Sequence, residues 1–168
     1  MNNPYKIRYT LRTFSVHDGD ASPDGKTYRN GVPLVTPESS ALYAAGIYTM
    51  LDSDKEHLSV FALNNKNCVV GYKVVSTGTL TNAPAHPREI FRAAIFLDAA
   101  AIIVVHNHPS GDPTPSADDI AITKRLKECA DIFGLRLLDH IILSGYEMED
   151  KDKVVAIRYY SFSSHGLI

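Results

Sequence analysis

Cysteine is scarce in this 168-residue chain: only Cys68 and Cys129 occur, far apart and in no CxxC or other metal-ligand spacing. That excludes a disulfide framework and a thiolate zinc cluster, and it suits small buried thiols in a reducing compartment. Long apolar runs are missing too. None approaches the roughly 18 residues needed to cross a bilayer. The N-terminus lacks the basic-then-apolar pattern of a secretory signal. A soluble cytoplasmic protein without membrane contact is the expectation. There is no excess of positive charge either. The formal net charge is −2, and the basic residues are scattered over Lys6, Arg8, Arg88, Arg92, Lys124, Arg125 and Lys127. A domain that lives on phosphate backbones gathers a basic surplus on one face, so DNA binding is expected to be weak or absent. No internal repeat or low-complexity tract occurs.

What is present reads as one globular domain with an appendage. In residues 1–35, the stretch Tyr5 to Val16 partly alternates apolar and polar side chains, which suits a strand. Asp18-Gly19-Asp20, Ser22-Pro23-Asp24-Gly25 and Asn30-Gly31 supply turn chemistry. The compact domain is expected over 36–168. It opens with Thr36-Pro37-Glu38, a threonine cap and a proline at the first helical position. Leu42, Tyr43, Ile47 and Met50 form the expected apolar face of that helix. Glu56 to Leu63 and Asn67 to Ser76 read as a hairpin through Asn64-Asn65-Lys66. His86-Pro87-Arg88-Glu89 starts a second helix, with Ile90, Ala94 and Leu97 inside. Ala99 to Val105 is a continuous apolar run, the pattern of a strand covered on both faces. A third helix starts near Ser116, buries Ile122, Leu126, Ala130 and Phe133, and stops at Gly134. Leu135 to Leu143 is another buried strand. The order α-β-β-α-β-α-β implies a mixed sheet flanked by helices.

The chemistry gathers between His106 and Asp119. Strand side chains alternate faces, so His106 and His108 project the same way from the end of the apolar strand. Two such imidazoles can share one zinc ion at about 2.0–2.1 Å each. The loop Pro109-Ser110-Gly111-Asp112-Pro113-Thr114-Pro115 turns the chain back, and the helix start at Ser116 brings Asp119 within reach as an oxygen ligand. Three protein ligands leave a fourth position for water, as in catalytic rather than structural zinc sites. Each residue also has a plainer role. The histidine pair can be surface histidines, and Asp119, three residues after Ser116, can complete a helix capping box.

Taken together, these residues resemble the JAMM motif of the JAB/MPN metalloprotease superfamily: His-x-His-Pro, six residues, Ser, two residues, Asp. Every spaced position matches. The wider context is similar to the RadC family, through Ser76-Thr77-Gly78-Thr79-Leu80, His86-Pro87-Arg88-Glu89, His106 to Gly111, Pro115 to Ala121, Leu137-Leu138-Asp139-His140 and Tyr159-Tyr160-Ser161-Phe162. The resemblance covers roughly residues 36–168. It implies a cytidine-deaminase-like α/β fold, a mixed sheet flanked by helices with zinc at the sheet edge. It also implies a metallopeptidase or isopeptidase that hydrolyses a protein or peptide substrate with zinc-bound water. A glutamate on an early strand would act as general base. Glu56 takes the corresponding position, ahead of Glu89 and Asp98. Ser116 would stabilise the oxyanion, besides serving as the helix cap.

Two departures from the family pattern stand out. The long form's N-terminal helix-hairpin-helix region is not expected here, and Tyr146 to Arg158 reads as an insertion that alters the substrate groove or forms a dimer edge. A homo-oligomer stays open. Two other functions are carried forward: a DNA-repair or recombination accessory, and a zinc-stabilised interaction domain without turnover. A zinc deaminase is excluded because its H-x-E and P-C-x-x-C signature is absent. An HNH nuclease is excluded because the literal His106-Asn107-His108 string is not that motif. His140 has two open readings, a support for the metal pocket, with Asp139 or a backbone carbonyl as a histidine partner, or a hydrogen-bonded core histidine.

Overall fold

The computed structural model of the chain describes residues 33–47, 53–78, 86–150 and 153–168. The strand expected over Tyr5 to Val16, the turns that follow it and Met50 lie outside these residues, as does the side chain of Ile47. Along the chain come α1 (Pro37–Ile47), β1 (Glu56–Leu63), β2 (Val69–Gly78), α2 (Pro87–Phe96), β3 (Ala101–Asn107), α3 (Ala117–Phe133), β4 (Arg136–Asp150), β5 (Lys153–Ser161) and a 3₁₀ turn (Ser163–His165). The strands form one mixed sheet in the order β2-β1-β3-β4-β5. Only β3 and β4 are parallel, joined through α3 as a βαβ unit.

Alternation along β3 divides the core. Ile103 and Val105 face a cluster that includes Tyr43 and Ala44 of α1. Ile102 and Val104 face the opposite cluster, with Ile90 and Phe91 of α2 and Leu126 and Ala130 of α3. Helices thus cover both faces, which is why every residue of β3 is buried. The strand runs two residues beyond the expected Val105, so His106 and Asn107 are still part of the ladder.

Local signals set the helix ends. Thr36 Oγ1 accepts from the Ser39 N–H at 3.1 Å, and Ser39 Oγ returns the favour to Thr36 N–H at 3.1 Å. His86 caps α2 by accepting from Arg88 N–H at 3.1 Å. Gly134, at φ 66°, ends α3 in the left-handed conformation that glycine adopts without strain.

Three expectations need correction. Among the described side chains of α1 the buried ones are Ser40, Ala41, Tyr43 and Ala44, with Leu42 only half-buried. Small residues there let the helix lie close to the sheet. Phe133 is 54% exposed. The last turn of α3 overshoots the sheet, and its ring stacks on Phe91 of α2 at 5.1 Å instead. The expected element order also ended too early. The described residues between Tyr146 and Arg158 belong to β4 and β5, which pair antiparallel from Ile141–Ser161 outward to Asp150–Lys153. Among the described residues no helix is long and apolar enough to cross a membrane.

Candidate metal centre

Parity along two strands builds the site. His106 continues the Ile102 and Val104 side of β3, the side that carries α2 and α3. Glu56 continues the Leu58 and Val60 side of β1, which is the same side. Because β1 runs antiparallel to β3, with Leu58 opposite His106, the start of β1 meets the end of β3. The loop then swings back through the left-handed Gly111 (φ 81°), and α3 begins directly above this strand end.

The α3 N-terminus holds Asp119 tightly. Ser116 Oγ accepts from Asp119 N–H at 3.1 Å, while the Ser116 N–H and hydroxyl donate to Asp119 Oδ2 at 2.7 and 2.6 Å. The capping box is therefore real, and it holds Oδ2 beside His108 and aims the other carboxylate oxygen, Oδ1, at His106. His106 Nε2 lies 3.3 Å from Asp119 Oδ1, and His108 Nε2 lies 3.6 Å from Asp119 Oδ2. Glu56 Oε1 stands 3.9 Å from His106 Nε2, beyond hydrogen-bond range. One potential ligand atom from each of Glu56, His106, His108 and Asp119 falls within a mutual distance of 4.8 Å.

The donor set fits a metal ion. His108 Nδ1 faces the backbone carbonyl of Asp112 at 2.8 Å, and a carbonyl only accepts. Its hydrogen therefore sits on Nδ1 and its Nε2 lone pair points inward. The Nε2 atoms of His106 and His108 are 3.0 Å apart. Two lone pairs beside two carboxylates repel one another unless a cation lies among them. Two nitrogens bound at about 2.05 Å to one tetrahedral ion would be roughly 3.3 Å apart, close to this spacing. The Asp119 carboxylate draws a proton or a metal cation alike to these nitrogens. Burial alone would raise the Asp119 pKa, but His106, His108 and Ser116 outweigh it and hold the carboxyl well below the usual range. The same carboxylate holds His108 above the ordinary imidazole range against the effect of burial.

The structure places all five residues expected from the sequence at this strand end: Glu56, His106, His108, Ser116 and Asp119. It brings neither of the other carboxylates here. Glu89 pairs with Arg88 and Arg92 on the first turn of α2. Asp98 lies before β3, at the far end of the strand from His106.

The surroundings include His140, read from the sequence as either a support for the metal pocket or a core histidine, and Thr123 and Asn107, which sequence reasoning did not single out. His106 Nδ1 meets His140 Nε2 at 2.9 Å, and His140 Nδ1 meets Thr123 Oγ1 at 2.6 Å. Burial, together with the facing His106, pushes the His140 pKa well below its ordinary value. The expected role of Asp139 as a histidine partner does not hold. Its carboxylate accepts from His140 backbone N–H, Ser161 hydroxyl and Ser163 N–H at 2.8, 2.6 and 3.0 Å, and so ties down the C-terminal turn. Asn107 points away from the pocket and bonds the backbone of β1. Thr123 had one visible signal, a hydroxyl four residues after Asp119 in an otherwise apolar stripe.

A mixed α/β domain with a His–His–Asp cluster at the open end of its central strands, and a carboxylate beside it, offers a candidate metal-binding site. The family profile described as the RadC-like JAB domain matches residues 36–167. The chain is 48% identical over 120 residues to a UPF0758 protein of Clostridium beijerinckii, covering 71% of this chain and 52% of that protein. It is 48% identical over 112 residues to one of Staphylococcus carnosus, covering 67% and 49%. To the UPF0758 protein TTE0897 of Caldanaerobacter subterraneus subsp. tengcongensis it is 46% identical over 111 residues, covering 64% and 45%. The chain belongs to the RadC-like JAB domain family. It spans about half the length of the curated relatives it matches.

Proposed function

We propose that the chain is a zinc-dependent hydrolase of the metallopeptidase or isopeptidase kind, acting on an amide bond in a protein or peptide. The observation that carries this reading is the convergence of His106 Nε2, His108 Nε2 and the Asp119 carboxylate, with Glu56 one step behind them. Two imidazoles and one carboxylate are a donor set suited to zinc, and three protein ligands match an open, catalytic site. Zinc, when bound there, supplies Lewis acidity and lowers the pKa of water to about 7.

The remaining steps fall to side chains. Glu56, part-exposed and not hydrogen-bonded to the histidines, takes a proton at its carboxylate from the attacking water. It then delivers that proton to the departing amine nitrogen. Ser116 holds Asp119 through both its N–H and its hydroxyl. Its hydroxyl leaves Asp119 Oδ2 and turns toward the oxyanion while the N–H keeps the carboxylate in place. The two free cysteines suit a reducing compartment such as the cytoplasm.

The test is elemental analysis of the purified chain together with cleavage of a proteome-derived peptide library. Wild type is expected to carry about one zinc per chain and to cleave. Glu56→Gln keeps the zinc and loses cleavage. Undiminished cleavage by Glu56→Gln would remove Glu56 as the base, and a zinc-free wild type that refuses added zinc would remove the reading altogether.

A further inference from the structure

Thr123 interrupts the apolar stripe of α3 with a hydroxyl that is almost fully buried. It stands 2.6 Å from the backbone carbonyl of Asp119 and 2.6 Å from His140 Nδ1. A hydroxyl has a single hydrogen and a carbonyl has none. If that hydrogen pointed to His140, two oxygens would touch with nothing between them. It therefore points to Asp119, and His140 Nδ1 must be the donor to Thr123. The His140 ring is fully buried and stacked on Phe162 at 4.8 Å. A second ring proton would bury a charge with no carboxylate, among the described residues, bonded to the ring, so Nε2 keeps its lone pair. That lone pair faces His106 Nδ1 at 2.9 Å. His106 then carries its hydrogen on Nδ1 and presents a bare Nε2 toward His108 and Asp119.

We infer that Thr123 and His140 are positioning residues of the metal centre, forming a one-way hydrogen-bond chain that sets the tautomer of His106 and ties its ring to the helical turn bearing Asp119. The chain starts at one proposed ligand residue and ends at another, so both are oriented before any ion arrives. Its consequence for metal affinity rests on the zinc reading above. The proton placement does not, because it follows from the acceptor-only carbonyl of Asp119 and the uncharged, buried ring of His140.

Two measurements on the full chain separate these. The first is long-range ¹H–¹⁵N NMR of the histidine rings in the metal-free protein. His106 and His140 are both expected as Nδ1–H tautomers, and an Nε2–H tautomer at either ring overturns the proposal. This holds even if the protein binds no zinc, an outcome that would sink the zinc reading alone. The second is zinc affinity by chelator competition in Thr123→Val and Thr123→Ser. Valine keeps the shape and removes the hydroxyl, and affinity is expected to fall about 10–100-fold, as for other outer partners of ligating histidines. Serine restores the hydroxyl and is expected to restore affinity. A Thr123→Val protein that is folded and binds zinc as tightly as wild type overturns the proposal, as does a Thr123→Ser protein as weak as Thr123→Val. If Thr123→Val does not fold, the wild-type tautomers and the serine variant still decide it.

Discussion

Asn107 grips the backbone on both sides of Glu56. Its Oδ1 accepts from His57 N–H at 2.8 Å, and its Nδ2 donates to the Lys55 carbonyl at 2.9 Å. The β1–β3 ladder ends at the Leu58–His106 pair, and the carboxamide acts as one further rung. The residue between the two histidines thus fixes where β1 begins and where Glu56 stands.

Replacing Asn107 by Asp removes the donor and sets a carboxylate against the Lys55 carbonyl. Losing that part-buried hydrogen bond costs about 0.5–1.5 kcal/mol. The variant is expected to unfold earlier in denaturant and to lose cleavage more than zinc, because Glu56 moves while the histidines stay. Unchanged cleavage with an unchanged midpoint would show that the amide grip does not control Glu56.

Removing a ligand is a different experiment from removing the base. His106→Ala and Asp119→Ala each delete one of three proposed protein ligands, and both are expected to lose stoichiometric zinc. Full zinc retention by both variants in elemental analysis would refute the assignment. In Asp119→Ala the Ser116 N–H and hydroxyl also lose their shared acceptor, so the start of α3 is expected to fray as well.

Ser116 serves the helix and the site together, and its truncation should be felt in both. Ser116→Ala loses the hydroxyl that accepts from Asp119 N–H and donates to Asp119 Oδ2. The lost cap costs about 1 kcal/mol. The freed carboxylate rotamer is expected to weaken zinc binding as well. Thermal melting and chelator competition measure the two effects, and a loss of stability with unchanged affinity would confine Ser116 to capping.

How much of this was legible depends on the range of each interaction. His106 and His108 share a face because strands alternate, and Ser116 and Asp119 meet because they are one helical turn apart. Those are local facts, and they named the cluster. The same local logic misplaced Phe133, since helical periodicity continues past the point where the sheet stops. The partners of the cluster join distant stretches: His106 with His140 across 34 residues, and Asn107 with His57 across 50. Which strands become neighbours decides such contacts, and no short window contains that information. Asp139 shows the cost of local reasoning most clearly. It adjoins His140 in sequence, yet its side chain lies with Ser161 and Ser163.

Asp139→Ala is accordingly expected to act on stability rather than on the metal. Its buried carboxylate accepts three hydrogen bonds, and the two from Ser161 and Ser163 pin β5 and the C-terminal turn to β4. Bonds to charged groups contribute about 1.5–3 kcal/mol each and are not additive, so a loss on the order of 3 kcal/mol is expected in urea unfolding. A loss below about 1 kcal/mol would mean that the turn is held by other contacts.

Affinity for duplex DNA is expected to be weak, despite the association of the RadC name with repair. The net charge is −2, and two of the arginines on α2, Arg88 and Arg92, are already paired with Glu89. Non-specific binders reach Kd of about 10⁻⁴–10⁻⁶ M at physiological salt by neutralising several phosphates at once. A chain with scattered basic residues has few to offer, and it should sit at or beyond the weak end of that range. Fluorescence anisotropy of a labelled duplex, read across a salt series, gives both the affinity and the number of phosphates engaged. A shallow salt slope with high-micromolar or weaker binding is the expected result. Nanomolar binding with a steep slope would place a phosphate-binding surface on this chain, and would favour a role on DNA over the hydrolysis of a protein substrate.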